Sequence, residues 1–298
     1  MHHNILKFIV MAIKLSELPM QADGSLYHIN LKKEHLAGSV ILVGDPGRVK
    51  IISSLFDRVE LERVNREIIT NTGILNGKRI SVMSTGMGPD NIDIVINELD
   101  AVVNIDFETR TIKEDKVKLD LIRIGTCGSV QADIPIETPI ASQYGLGMDG
   151  LLHFYDTTGV NEEDINAAFV KHTNWPKTWS QPYIVESSKE LMDKLAFDTI
   201  QGITCTAPGF YGPQGRYVRL PLAQPKMNDL IESFRFNDLK IANLEMETSA
   251  LYALAKALGH NALTICLAIA NRVNKTFSED YRPHMKKLIE TTLERLTK

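Results

Sequence analysis

"LDLIRIGTCGS", residues 119–129, is an apolar run that carries one arginine and ends in a glycine-bearing turn. Leu119, Leu121, Ile122 and Ile124 read as a strand buried on both faces, as in a parallel sheet covered by helices. Arg123 lies among them, where an unpaired charge is costly to bury. It therefore belongs to a structural ion pair or to a site. Further apolar runs follow the same plan. "SVILVG" (39–44) is a buried strand that ends in Gly-Asp-Pro-Gly and opens a helix. "GILNGKRISVMSTG" (73–86) reads as a hairpin turning at Asn76-Gly77. "YIVES", "TIQGITCTA", "KIANLE" and "NALTICLAIANR" supply more strands. Helical patterns alternate with them, which predicts an α/β protein with a mostly parallel sheet and helices on its faces.

Two helical stripes are clear. From Met246, the residues Ala250, Ala253, Leu254 and Ala257 recur on one face until Gly259 stops the helix. Met285, Leu288, Ile289 and Leu293 form the second. Both read as core. Residues 104–118 are charged and apolar-poor, as in a protruding hairpin or solvated loop. Residues 156–181 hold both tryptophans amid polar residues and read as a surface insertion with one short helix. The chain shows no internal repeat and no break in composition. The expected organisation is an N-terminal arm over 1–26 and one domain over 27–298. The apolar run near the start is interrupted by Lys7 and is too short to span a bilayer, so no membrane role is expected.

The 298 residues are 44% hydrophobic and 23% charged, the balance of a soluble globular protein. A formal net charge of -4 argues against nonspecific nucleic-acid binding. Cys127, Cys205 and Cys266 are far apart and odd in number. They form no disulfide framework and no zinc spacing, and they point to a reducing, cytoplasmic setting.

The candidate chemistry gathers at strand ends, where ligand sites of such sheets lie. "GDPGR" (44–48) offers backbone N–H groups at a helix start and the guanidinium fork of Arg48, a pairing suited to phosphate. A plain turn with a solvated arginine is the commoner explanation. "RIGTCGS" adds Arg123, Gly125 and Thr126, and "STGMG" (84–88) adds a third such turn. "NLEMET" (243–248) puts Glu245 and Glu247 where a strand meets a helix, either as a cap or as acceptors for a vicinal diol. "FYGPQGRY" (210–217) sets Phe210, Gln214 and Arg216 on a glycine- and proline-rich turn. These are an apolar face, a two-sided amide and a fork, either ordinary surface groups or a grip on a flat polar molecule. A dinucleotide site is disfavoured, because neither "GTCGSV" nor "GDPGRV" has the full Gly-x-Gly-x-x-Gly spacing.

"HINLKKEHLAGSVILVGDPGRV", "STGMG", "RIGTCGS", "FYGPQGRY", "NLEMETSALY" and "IANR" occur along the chain in the order seen in one family. In that combination the chain resembles the nucleoside phosphorylase superfamily, and its uridine phosphorylases most of all, over about Tyr27 to Arg295. The resemblance implies a single-domain, three-layer α/β/α sandwich with a mixed central sheet. It implies phosphorolytic cleavage of uridine to uracil and ribose 1-phosphate, with deoxyuridine and thymidine as further candidate substrates. Inorganic phosphate would be the co-substrate, with no cofactor and no metal. Gly44, Arg48, Arg123 and Thr126 would bind phosphate, joined by Arg66 of a neighbouring subunit. His28 would cross the same interface to the ribose 5'-hydroxyl, and Met246 and Glu247 would hold the ribose. Phe210, Gln214, Arg216, Ile269 and Ala270 would hold the base, and Arg272 would steady the loops around it. The working unit would be a homodimer or a hexamer built as a trimer of dimers.

The family's loop runs Tyr-Pro-Gly-Gln-Glu-Arg, whereas here it runs Tyr211-Gly212-Pro213-Gln214-Gly215-Arg216. Cys127 stands where threonine is frequent. Related purine enzymes protonate their leaving base with an aspartate after the last core strand. Here Ala270-Asn271-Arg272 supplies no carboxylate, which favours uracil. The alternatives are a purine nucleoside phosphorylase or nucleosidase on the same fold, and a nucleoside-binding protein without turnover.

Overall fold

The computed structural model describes residues 12–298, so the first eleven positions of the expected arm lie outside the described residues. In chain order the strands are β1 (Ser39–Val43), β2 (Arg58–Asn65), β3 (Ile68–Leu75), β4 (Lys78–Ser84), β5 (Ile105–Asp106), β6 (Thr111–Ile112), β7 (Asp120–Ser129), β8 (Pro139–Gly147), β9 (Tyr183–Glu186), β10 (Ile200–Thr206), β11 (Arg235–Phe236), β12 (Leu239–Glu245), β13 (Asn261–Asn271) and β14 (Thr276–Phe277). The helices are α1 (Pro46–Ser53), α2 (Pro89–Asn104), α3 (Glu163–Thr173), α4 (Lys189–Leu195), α5 (Met227–Ser233), α6 (Thr248–Leu258) and α7 (Arg282–Thr297).

β1, whose five residues are all buried, shows why the molecule is layered. Val40 and Leu42 pack into a core shared with α2 and α6. Ile41 and Val43 point the other way, into a core shared with α1, α4 and α7. Alternation along a strand with helices on both faces makes a three-layer α/β/α fold. The sheet is mixed and runs β11-β12-β10-β8-β13-β7-β1-β4-β3-β2. β1 is parallel to β4 and β7, and β7 is parallel to β13. β3 and β4 form the antiparallel hairpin that turns at Asn76-Gly77, both with positive φ.

The sheet is not flat. β12 also pairs antiparallel with β7 through Asn243↔Ser129 and Leu244↔Gly128. Strands β7, β13, β8, β10 and β12 therefore close into a ring. Closure brings the ends of β7, β12 and β13 together, and the site is built there.

Several elements escaped the sequence reading, β8, β2 and α2 among them. β8 carries Ser142, Gln143, Gly145 and Gly147 and lacks an apolar pattern. Its burial is made tolerable by hydrogen bonds, with Tyr252 Oη donating to Ser142 O at 2.7 Å. β2 is largely exposed and gives no apolar signal. α2 does carry one, since Ile92, Val95, Ile96, Leu99, Val102 and Val103 are all buried and Pro89 stands at its start. The helix expected from Met246 begins at Thr248, and its residues 248–255 are buried all round rather than along one stripe. Ala257 is exposed and Met246 lines a cavity, so neither belongs to the core as expected. The second stripe is core, with Met285, Leu288, Ile289 and Leu293 all buried on α7.

Residues 105–112 form a short hairpin of β5 and β6. Within 156–181 there is one helix, α3, and Phe169 and Trp175 from this segment are buried in a third core with Phe234. Phe169 and Phe234 meet edge to face at 5.3 Å.

Candidate active site

A cavity of about 780 Å³ opens at the ends of β1, β4, β7, β12 and β13. Gly44, Arg48, Arg123, Thr126, Phe210, Gln214, Arg216, Met246, Glu247, Ile269 and Ala270 all line it. Residues scattered over more than 220 positions of sequence thus share one space.

At one end, Asp45 caps α1 by accepting from Gly47 N at 2.8 Å. This starts the helix at the cavity wall and turns Arg48 inward. Arg48 is only 7% exposed and donates from Nη1 to Ile124 O at 3.3 Å. Burial lowers the pKa of its guanidinium. No carboxylate pairs with it among the described residues, which leaves it suited to an anionic ligand.

The middle of the cavity resolves the question raised by Arg123. Its Nη1 lies 3.3 Å from Glu245 Oε2 and donates to Cys266 Sγ at 3.1 Å, while Nη2 contacts Glu247 Oε2. Burial opposes its charge, but Glu247, Cys266 and Glu245 outweigh burial and raise its pKa. Arg123 is therefore both an ion-pair member and a cavity wall. The side chain folds back over Gly125, where an added Cβ would collide with the guanidinium and with Cys266.

The two carboxylates of "NLEMET" divide their work. Glu245 accepts from Glu247 N at 3.0 Å, from Thr248 N at 3.1 and 3.0 Å, and from Thr206 Oγ1 at 2.6 Å. It caps the start of α6, as one reading of the sequence had it. Glu247 accepts from Gly88 N at 2.8 Å and from Arg123, and it lines the cavity. Burial raises its pKa, while Arg123 and the Gly88 N–H act in the other direction.

At the far end, Gly212–Gln214 form a single 3-10 turn closed by Gly215 at φ 66°. Asn228 Nδ2 donates to Gln214 O at 3.1 Å and packs where a Gly215 side chain would have to go. Gln214 is buried at 3% exposure, which is unusual for a loop glutamine and marks it as a wall of the cavity. Arg216 donates from Nη1 to Phe210 O at 2.6 Å and to Gln214 Oε1 at 2.5 Å, and its guanidinium lies 3.7 Å from the Phe210 ring centre. Burial first, and Arg272 second, lower its pKa to about 10, so it stays charged at neutral pH. Arg272 does not line the cavity, but lies against Gly128 behind it.

Two candidates lie elsewhere. His28 and Arg66 are outside the cavity and share an exposed face, where the Arg66 guanidinium sits 5.7 Å from the ring of Tyr27. Several wall residues gave no signal in the sequence. Phe277 comes from β14, which pairs with Ala270 and Asn271, and Tyr281 precedes α7. Glu67 and Asn91 close a further side. A second cavity of about 770 Å³ lies behind the 210–217 loop, walled by Trp175, Trp179, Leu220 and Leu222. It is lined by Arg216 and Arg219 but by no carboxylate and no histidine, so the carboxylates and the arginines Arg48 and Arg123 belong to the first. Among the described residues no cluster of three or more His, Cys, Asp or Glu could hold a metal ion, and no helix is long and apolar enough to cross a membrane.

Chemically, the cavity offers cationic and backbone donors at one end, a carboxylate beside them, and an amide with a guanidinium at the other. Comparison with known proteins bears on what fits it. The family described as the phosphorylase superfamily matches residues 39–297. The chain is 31% identical to the uridine phosphorylase of Thermococcus kodakarensis over 273 residues, covering 89% of this chain and 84% of that protein. It is 28% identical to the DeoD-type purine nucleoside phosphorylase of Bacillus cereus, covering 90% and 97%. A Trypanosoma brucei nucleoside phosphorylase described as showing uridine phosphorylase activity superposes with a TM-score of 0.85 at 30% identity, covering 94% of this chain and 99% of that one. A uridine phosphorylase structure from Phytophthora capsici shares the fold with a TM-score of 0.68 at 21% identity.

Proposed function

The chain belongs to the phosphorylase superfamily, and on that premise we propose that it cleaves the N-glycosidic bond of uridine with inorganic phosphate, releasing uracil and ribose 1-phosphate. The observation that carries the choice of base is the lining of the cavity. Its carboxylates are Asp45, Glu67, Glu245 and Glu247, and none of them comes from the 210–217 loop or from the strand end that carries Ile269 and Ala270. A departing purine gains from an acid there. A departing uracil can instead spread its charge over N1, O2 and O4 and needs only donors.

In this reading Gly44, Arg48, Arg123 and Thr126 hold phosphate, and Arg66 of a second copy completes the grip. A phosphate oxygen attacks C1' of the sugar, the C1'–N1 bond breaks, and its electron pair leaves with the base. The transition state is positive on the sugar and negative on the base. The bound phosphate is then nucleophile and counter-charge at once, and preorganised electrostatics do most of the catalysis. Met246 and Glu247 hold the ribose. Gln214 Nε2 donates to a base carbonyl, while Oε1, already held by Arg216, accepts the ring N3–H with its second lone pair. Arg216 donates to O4, and Arg272 behind it steadies the loop.

The deciding experiment is uracil release from uridine with and without phosphate, run beside inosine and thymidine. Strict phosphate dependence and preference for uridine are expected. Faster turnover of inosine would overturn the base assignment, and uridine binding without any phosphate-dependent release would mark a binding protein. Gln214→Ala tests the loop. It is expected to lower kcat/KM for uridine by about 10²-fold, the effect of removing one preorganised donor. It should also narrow the uridine-to-inosine ratio. An unchanged ratio counts against this loop as the reader of the base.

A further inference from the structure

Glu98 lies on the buried side of α2 and is only 6% exposed, among Ile96, Leu99 and Val102. A carboxylate there is costly unless every lone pair it presents is met. Its partners come from one turn. Oε2 accepts from His28 N at 3.1 Å and from Ile29 N at 2.9 Å. Oε1 lies 2.5 Å from His28 Nδ1. From the other side, Asn65 Nδ2 donates to Tyr27 O and to His28 O, both at 2.8 Å. The turn that carries His28 is thus clamped between α2 and the end of β2, one residue before Arg66.

The tautomer follows from the inventory of donors. Two backbone N–H groups converge on Oε2, so the carboxyl is placed to accept; a carboxylate can only accept, and facing one His28 Nδ1 carries the hydrogen. A neutral ring then presents a bare Nε2. That nitrogen has no partner among the described residues, and the side chain is 27% exposed, so it is reachable from outside the chain.

We propose that Glu98 is a positioning residue for nucleoside recognition: it fixes the ring and tautomer of His28, so that Nε2 accepts a hydrogen bond from the sugar's 5'-hydroxyl. This rests on the reading of His28 as reaching a neighbouring copy's nucleoside. Glu98 itself touches no substrate.

The test compares uridine with 5'-deoxyuridine, which lacks the hydroxyl, in the full chain and in Glu98→Gln, His28→Ala and the double variant. The unaltered protein should prefer uridine by about tenfold in kcat/KM, the effect of one hydrogen bond. In Glu98→Gln the side-chain amide presents a donor to the ring, and the preference should collapse towards unity while 5'-deoxyuridine turnover holds. Glu98→Gln should add nothing in the His28→Ala background. An equal loss for both substrates, or a further fall in the ratio when His28 is already absent, would show a merely structural role and overturn the proposal. No preference in the unaltered protein would instead refute the reading of His28 and the proposal with it. A second readout needs no variant: long-range ¹H–¹⁵N spectra of the intact protein should show the His28 ring protonated at Nδ1. Protonation at Nε2 alone would overturn the proposal.

Discussion

Arg123→Ala is expected to abolish phosphate-dependent turnover and to weaken the fold together. The side chain is buried and reaches Glu245, Glu247 and Cys266 at once. Removing it leaves two buried carboxylates without their cation, a change that costs roughly 3–5 kcal/mol of stability when one partner of a buried pair is lost. Loss of a preorganised donor set at the phosphate should lower kcat/KM for phosphate by about 10³-fold. Arg123→Lys separates the two effects. It keeps the charge and loses the fork, so the urea midpoint should largely recover while phosphate saturation stays poor. Phosphate kinetics near those of the unaltered protein in either variant would remove Arg123 from the proposed phosphate site.

Glu247→Gln should act on the sugar rather than on the base. The carboxylate is held by Gly88 N and Arg123 at the cavity wall, and glutamine fills nearly the same space with one acceptor in place of two. A charged acceptor serving two hydroxyls is worth more than a neutral one, and kcat/KM for uridine is expected to fall by about 10²-fold. Binding of free uracil, measured by calorimetry, should change little, because Gln214 and Arg216 lie at the other end of the cavity. A matching loss of uracil affinity would show that Glu247 shapes the whole cavity and would not support a ribose contact.

The strand ends were legible because their composition is locally unambiguous. An apolar run that stops at Gly-Asp-Pro-Gly or Gly-Thr-Cys-Gly can be placed without knowing its neighbours. Arg123 was legible as an anomaly for the same reason, although its partners were not. Glu245 and Glu247 stand two residues apart, and sequence alone left both open as cap or acceptor. Thr206 from β10 ties Glu245 to the cap, while Gly88 from the start of α2 and Arg123 hold Glu247 at the cavity wall. β8 was illegible because its burial is supported by hydrogen bonds rather than by an apolar pattern. Phe277 and Tyr281 were illegible as wall residues because only the pairing of β14 with β13 carries that segment to the cavity.

Sequence by itself determined the layers, the glycine turns at the strand ends and the absence of an acid after the last core strand. Those are properties of short segments, set by side-chain polarity, backbone freedom and residue identity. Only the tertiary structure decided that the strand ends converge, because convergence depends on β12 pairing back onto β7 and closing the ring. Only the tertiary structure joined Glu98 to His28, 70 positions apart in the chain. A buried carboxylate must find its donors wherever packing brings them, and no local pattern records where that is.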